Sequence, residues 1–342
     1  MVIVVGSGAG GATVAKELAA KDVPVTLIEK GPEIEEKDAF KHYLNVDSEV
    51  KVMRTISIGG TTTVSAGNGV RCLEEELKRV GIDLRCEFEE VEKELGVGVL
   101  PDSLFGDGTR RIMEAAENLG LDVKPMPKFI DPEKCKPDGR CTFGCSRGAK
   151  WSALRFVKEA KRKGAKIIAE MPVDEVIVKS GEVKGVRSGD MIFSDDIVVL
   201  SAGALETPRL LKKLGLPTAS NSLFVDTFIT IGGILKGIGF NEEVTMNAVI
   251  KYEDFLLSEG ASIAGSILEE AGVDPSTFVS TPLRGAHPGG TARIGIAVNK
   301  NLETEVSGLY VADASVLPAA PGAPPILTIV ALAKYVSRII AT

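Results

Sequence analysis

The sequence predicts an α/β fold, a Rossmann-like domain with a parallel sheet joined to a small α+β domain with an antiparallel sheet. Three observations carry this expectation. Val2–Val5 is a short, continuous apolar run, and Val25–Ile28 and Ile197–Leu200 are further short apolar runs, the mark of strands buried on both faces. Helical stretches alternate with them at both ends of the chain. Between residues 226 and 284 the pattern changes to alternating, half-buried runs. A length of 342 residues suits about two domains, or one with an insertion. Hydrophobic residues at 44% and charged residues at 25% exclude a disordered tail, a collagen or a coiled coil. A net charge of −7 and 5% aromatic residues argue against a nucleic-acid partner.

Taken in order, Val2–Val5 leads into Gly6-Ser7-Gly8-Ala9-Gly10-Gly11, a helix over Ala12–Lys21 and a second strand ending at Glu29. Residues 32–57 are polar and charged, and Ile58–Gly69 reads as a loop. Leu73–Lys93 and Thr109–Leu119 read as helices, and Lys124–Arg147 as irregular. Ser152–Lys163 is a helix stopped by Gly164. Lys166–Ala169, Asp174–Lys179 and Val183–Arg187 are strands, with Ser180-Gly181 as a hairpin turn. Glu206–Leu214 is a short helix. Phe228–Leu235 and Val244–Lys251 are expected to pair on a separate small sheet, followed by a helix over Ser262–Ala271. Leu309–Ala312 is a late strand, and Pro325–Ile340 a closing helix with proline in its first turn.

Gly6, Gly8 and Gly11 form G-x-G-x-x-G after a strand, at the start of a helix, and with an acidic residue about 20 positions on. Gly6 permits the tight turn, Gly8 lets the backbone approach a pyrophosphate, and Gly11 lets helix and strand pack closely. The helix N-terminus then offers free N–H groups to the phosphates, and Glu29 accepts from ribose hydroxyls. An NAD domain would continue as further strand–helix units. The irregular stretch over 32–145 favours FAD.

Four further segments bear a resemblance. They are Ile58-Gly59-Gly60-Thr61-Thr62-Thr63 with Ala66 and Arg71, Val199 to Pro208, His287-Pro288-Gly289-Gly290-Thr291, and Leu309 to Pro318. In this order they resemble the glucose–methanol–choline family of FAD oxidoreductases, a short member closest to the sugar and alcohol dehydrogenases. The resemblance implies that Gly6, Gly8, Gly11 and Glu29 hold the ADP part of FAD. It puts Gly60, Thr61 and Asn68 along the isoalloxazine, the Val173 backbone at the adenine, and Ala202 and Gly203 near the pyrophosphate. Asp313 meets the ribityl chain, and Pro325 and Thr328 approach the ring. It implies oxidation of a CH–OH donor, a small-molecule substrate, by hydride transfer to flavin N5 with His287 as base. Imidazole suits that task because its pKa of about 6.5 lies near working pH. The family's second His or Asn aligns with Pro324, which has no polar side chain. Either His287 acts alone, or a partner comes from elsewhere, or the reaction differs. A flavoprotein electron-transfer subunit of a larger complex is the alternative.

Cys135, Cys141 and Cys145 are spaced C-x5-C-x3-C in the irregular segment. Three thiolates suit an iron–sulfur cluster, whereas zinc normally wants a fourth ligand. The spacing resembles that of the family's iron–sulfur sugar dehydrogenases, and also that of long-chain alcohol oxidases. Free thiols or a Cys135–Cys141 disulfide are the other readings. A cluster would carry electrons to an acceptor other than dioxygen, such as a partner protein. The expected organisation is an FAD-binding domain from 1–71, 150–225 and 285–342, a helical and irregular cover over 72–149, and a reduced substrate domain over 226–284. With no transmembrane segment and no leader before the first strand, a cytoplasmic location is expected.

Overall fold

Every residue of Val2–Val5 is both apolar and buried, which only a central strand allows. The computed structural model describes residues 1–46, 50–216, 223–250 and 257–342. In chain order the strands are β1 (Val2–Val5), β2 (Val25–Ile28), β3 (Tyr43–Val46), β4 (Lys51–Thr55), β5 (Val123–Pro125), β6 (Lys166–Ile168), β7 (Glu175–Lys179) and β8 (Glu182–Ser188). They continue with β9 (Met191–Phe193), β10 (Val198–Leu200), β11 (Phe224–Phe228), β12 (Ile231–Gly232), β13 (Ala248–Ile250), β14 (Val279–Ser280), β15 (Arg284–Gly289) and β16 (Leu309–Val311). The helices are α1 (Ala9–Ala19), α2 (Glu74–Arg79), α3 (Arg85–Leu95), α4 (Asp107–Asn118), α5 (Ala153–Arg162), α6 (Thr207–Lys213), α7 (Leu257–Glu270) and α8 (Ile326–Ile340).

The first sheet is parallel throughout, in the order β16-β10-β1-β2-β6. The chain leaves β1 toward β2 on one side and returns as β10 and β16 on the other. The topology therefore switches direction beside β1, where ligands of such sheets bind. α1 starts at that point and packs against α5 and α8. It is almost wholly buried, so its small residues, Ala9, Gly10, Gly11, Ala12 and Ala15, allow close approach on all sides.

The second sheet has the order β11-β15-β4-β3, with β15 antiparallel to β11 and parallel to β4. The polar stretch over 32–57 thus holds a hairpin, β3 and β4, that its composition did not announce. The described residues of the 226–284 region do not form one separate small sheet. β11 joins this second sheet, β12 pairs with β14, and β13 pairs with β5 from the middle of the chain. Lys251, expected to end a strand, lies outside the described residues. The long helix expected over Leu73–Lys93 is two helices. Gly81 at φ +84° ends the first, and Ile82 and Leu84 between them are buried. The β7–β8 turn does use Ser180 and Gly181, both at positive φ, as a two-residue hairpin requires. Among the described residues no helix is long and apolar enough to cross a membrane.

Candidate functional site

The glycine turn sits at the C-terminal end of β1. Gly6 has φ +97°, and a Cβ there would lie 2.3 Å from the Ser201 carbonyl oxygen. A Cβ on Gly11 would lie 1.9 Å from the Gly6 carbonyl oxygen. Gly8 differs, because a Cβ there would meet nothing within 4 Å. The backbone around Gly8 faces open space, and Gly60 closes its far side: a Cβ on Gly60 would come 3.3 Å from the Gly8 Cα. Gly203 is likewise open. These are the features a bound pyrophosphate needs from the chain.

Glu29 ends β2 and is buried. Its Oε2 accepts from the Ser7 N–H at 2.9 Å and the Ser7 hydroxyl at 2.7 Å, and its Oε1 accepts from the Gly31 N–H at 2.8 Å. Burial pushes its carboxyl above the usual range, and these donors oppose that. Ser7 Oγ also accepts the Gly59 N–H at 3.0 Å, tying the turn to the 58–64 loop. The backbone leads from Glu29 to Val173 through a bond from the Met171 N–H to the Glu29 carbonyl.

The 58–64 loop follows β4. Thr61 Oγ1 accepts the Thr55 N–H at 3.3 Å. Two buried lysines hold the next residues. Lys128 Nζ donates to the Ala66 carbonyl, to Asn68 Oδ1 at 2.6 Å and to the Thr245 carbonyl, and burial pulls its pKa down to about 7. Lys150 Nζ donates to the carbonyls of Thr63, Ser65 and Cys141, and burial lowers its pKa also. Asn68 is therefore occupied by Lys128 and a 3.7 Å contact with the Met246 sulfur. The lysines lie far along the chain from the loop they hold, so no local pattern marks them.

His287 lies in strand β15. Its φ of +52° is unusual for a side chain in a strand. Asp226 on neighbouring β11 reaches it: His287 Nδ1 and Asp226 Oδ2 are 2.8 Å apart. The register between the strands shifts between Phe224 and Asp226, an irregularity of the kind that re-aims a side chain. Asp226 Oδ1 accepts the Gly322 N–H at 3.3 Å, just before Pro324. A partner for His287 thus comes from elsewhere in the chain. It was missed because nothing near Asp226 in sequence marks it.

The segment after His287 docks on the closing segment. Gly290, Ala292 and Ile294 donate backbone N–H groups to the carbonyls of Ala314, Ser315 and Val316. Asp313 anchors this junction. Its Oδ1 accepts from the Ser315 N–H and hydroxyl, and its Oδ2 from the Gly203 N–H at 2.8 Å and the Thr207 hydroxyl at 2.6 Å. Burial pushes its carboxyl up. Both oxygens serve neighbouring protein donors, with Asp313 joining Ala202-Gly203 to the end of β16. Pro325 is buried at the start of α8. Thr328 faces Cys72: its hydroxyl donates to the Cys72 carbonyl at 2.9 Å.

Cys135, Cys141 and Cys145 lie partly buried against one small cluster that includes Leu100, Ile130 and Val244. They are free thiols, not a disulfide. Among the described residues no three His, Cys, Asp or Glu side chains form a metal-holding group. Burial first, and the nearby Cys141 and Cys145 next, push the Cys135 thiol up to about 11. The arrangement does not support the iron–sulfur expectation.

Comparison with known proteins agrees with this geometry. The N-terminal GMC oxidoreductase profile matches residues 2–244 and the C-terminal one residues 244–333. An uncharacterised protein of Methanocaldococcus jannaschii is 28% identical over 98% of each chain. An uncharacterised GMC-type oxidoreductase of Mycobacterium tuberculosis is 31% identical over 63% of this chain, which spans only 39% of that protein. A long-chain-alcohol oxidase of Arabidopsis thaliana is 24% identical over 82% of this chain and 44% of its own length. In fold, the chain superimposes on pyridoxine 4-oxidase from Mesorbium loti with a TM-score of 0.68 at 17% identity, covering 99% and 98% of the two chains. With both profiles matched nearly end to end, and an open glycine cradle at the switch point of the parallel sheet, the chain belongs to the GMC oxidoreductases and is an FAD-dependent oxidoreductase acting on CH–OH groups.

Proposed function

We propose that the chain oxidises a small CH–OH donor with His287 as the group that takes the hydroxyl proton. The observation that carries this is the placement of His287. It lies on β15, in one sheet with the β4 strand that leads into the 58–64 loop, and its next residues dock beside Asp313. Its side chain is 28% exposed, so a substrate can reach the ring. FAD, when bound, supplies the hydride acceptor that no amino-acid side chain provides. Gly6, Gly8 and Gly11 would hold its pyrophosphate with Ala202 and Gly203, Glu29 its ribose, and the Val173 backbone its adenine. Gly60 and Thr61, with Pro325 at the start of α8, would lie along the ring. Asn68 and Thr328 act one step back, as supports already bonded to Lys128 and Cys72.

The division of the chain into an FAD-binding part over 1–71, 150–225 and 285–342, a cover over 72–149 and a substrate part over 226–284 is part of this reading. The first sheet supports it by drawing strands from all three stretches of the first part. The expected acceptor other than dioxygen rested on a cluster at Cys135, Cys141 and Cys145, which their arrangement does not support, so the dye and dioxygen arms of the test decide the acceptor. The test is a panel of primary, aromatic and sugar alcohols with an artificial dye, run in parallel with dioxygen. His287→Asn is expected to keep its flavin and lose about 10²- to 10⁴-fold in turnover. Full activity in H287N would overturn the assignment. No oxidation of any alcohol by flavin-loaded wild type would favour the electron-transfer reading.

A further inference from the structure

We infer that Asp226 is the positioning residue of His287, holding its ring as the Nδ1–H tautomer and supplying from β11 what the chain lacks at Pro324. The inference rests on the reading of His287 as proton acceptor only for its catalytic consequence. The geometry stands independently. A carboxylate has no proton to give, so the 2.8 Å contact requires the proton on His287 Nδ1. In the neutral ring that leaves Nε2 with its lone pair free, the form an imidazole needs to accept a proton.

Asp226 also fixes where the ring sits. Its other oxygen accepts the Gly322 N–H at 3.3 Å, in the short loop Gly322-Ala323-Pro324-Pro325 that leads into α8. One carboxylate therefore joins the β11 and β15 pair to the chain entering the closing helix. Asp226 is only 18% exposed, so water competes little for these two contacts. The left-handed backbone of His287 is held against its own preference by this bond and by the docking of residues 290–294. Pro324, two residues after Gly322 in this loop, has no polar side chain to offer, and Asp226 offers one from β11.

The two oxygens make Asp226→Asn a specific test. An amide keeps one acceptor and puts two donors in place of the other. The Gly322 N–H can only donate, so it takes the carbonyl. The amide nitrogen must then face His287 Nδ1, and an imidazole can answer by moving its proton to Nε2. D226N is thus expected to reverse the tautomer without changing the shape of the site, and to remove the free lone pair from the side where substrate would bind.

The chain has two histidines, His42 and His287, so ¹⁵N-histidine labelling of the flavin-loaded protein gives two rings, and His42→Gln assigns them. Spectra are read near pH 8.5, about two units above the ordinary imidazole pKa. The expected result is a bare Nε2 in wild type, a bare Nδ1 in D226N, and a mixture of tautomers in Asp226→Ala. A wild-type ring carrying its proton on Nε2 overturns the inference. So does an unchanged Nδ1–H in D226N or D226A, because another group would then be selecting the tautomer. If D226N does not fold, the wild-type and D226A spectra decide alone. Where wild type oxidises an alcohol from the panel, D226N is expected to lose about 10²- to 10⁴-fold in kcat, with KM within about threefold. Wild type that oxidises none would count against the CH–OH reading while leaving the tautomer result intact.

Discussion

A methyl group added to Gly10 would place its carbon 1.7 Å from the carbonyl oxygen of Ala312, a contact that only movement of α1 away from β16 can relieve. Two residues earlier, Gly8 has ordinary φ and ψ of −68° and −164°, and an added methyl there meets no protein atom. The same substitution is therefore expected to separate folding from binding. Gly10→Ala should lower the stability of the flavin-free protein by about 1–3 kcal/mol. Gly8→Ala should leave it within about 0.5 kcal/mol yet weaken FAD binding tenfold or more, because the methyl fills the space that the phosphates need. Denaturant melts of both variants, with a fluorescence titration of FAD, check this. Equal loss of stability in the two would sink the distinction. At this scale the sequence was legible where a residue acts through its own backbone, as Gly6, Gly8 and Gly11 do. It was silent on Gly10, Ser7 and Asp226, whose roles depend on Ala312, Gly59 and His287 arriving from distant parts of the chain.

At the scale of elements, α1, α3 and α8 are joined by charges as well as by packing. Lys334 Nζ on α8 lies 2.6 Å from Glu17 on α1 and 2.8 Å from Glu94 on α3, and Lys16 contacts both carboxylates. Burial opposes the charge on Glu17 and on Lys334, and the partners outweigh it: Glu17 sits below its ordinary 4.5 and Lys334 above its ordinary 10.5. A depressed carboxyl contributes stability that is present above pH 4.5 and is lost as pH falls through its folded value. A raised ammonium contributes stability that is present below pH 10.5 and is lost as pH rises through its folded value. Stability from this network should thus be flat between those limits. Lys334→Met leaves Glu17 and Glu94 sharing Lys16, with Glu90 held by Arg338. It should cost roughly 1–3 kcal/mol near neutrality, and soften the acid loss as Glu17 gives up its cation. Urea melts from pH 3 to 10 measure both, and a K334M profile parallel to wild type would contradict the account. The helices were legible from their periodicity, and their breaks less so: Gly81 splits one expected helix because the apolar Ile82 and Leu84 turn inward behind it. Strands fared by partner. β1 and β10 are uniformly apolar, and β2 is so but for Thr26, which marks all three as strands of a buried sheet. β3, β4 and β15 carry polar and glycine residues, and pair only because the second sheet gathers them from three distant stretches.

For the whole molecule, the same distance in sequence explains why the parallel sheet was readable and the pairing of the strands over 224–250 was not. The five-stranded sheet takes strands from residues 2–28, 166–200 and 309–311, each with its own glycine- or acid-bearing turn at the strand end. β11, β12 and β13, by contrast, pair with three different sheets, so alternation alone could not assign them a common one. This arrangement makes the cofactor a cross-brace, and its two halves should brace different segments. On the proposed reading the ADP half would meet the turn at 6–11, Glu29, the Val173 backbone and 202–203. The ring half would add the 58–63 loop, the 287–290 segment and the 322–328 entry to α8. Amide hydrogen exchange of the flavin-stripped protein, alone and with ADP or FAD each at about 100 times its own dissociation constant, separates the halves. At that ratio either ligand adds about 2.7 kcal/mol of global stability, so slowing common to the whole core is matched between them. What remains is local. Both ligands should slow exchange at 6–11 and 202–203, and FAD alone should slow it at 58–63 and 322–328, where unligated opening costs least. If ADP slows 58–63 and 322–328 as much as FAD does, those segments are braced through the protein rather than by the ring. If FAD leaves them as fast as in the stripped protein, Gly60, Thr61 and Pro325 do not line the flavin.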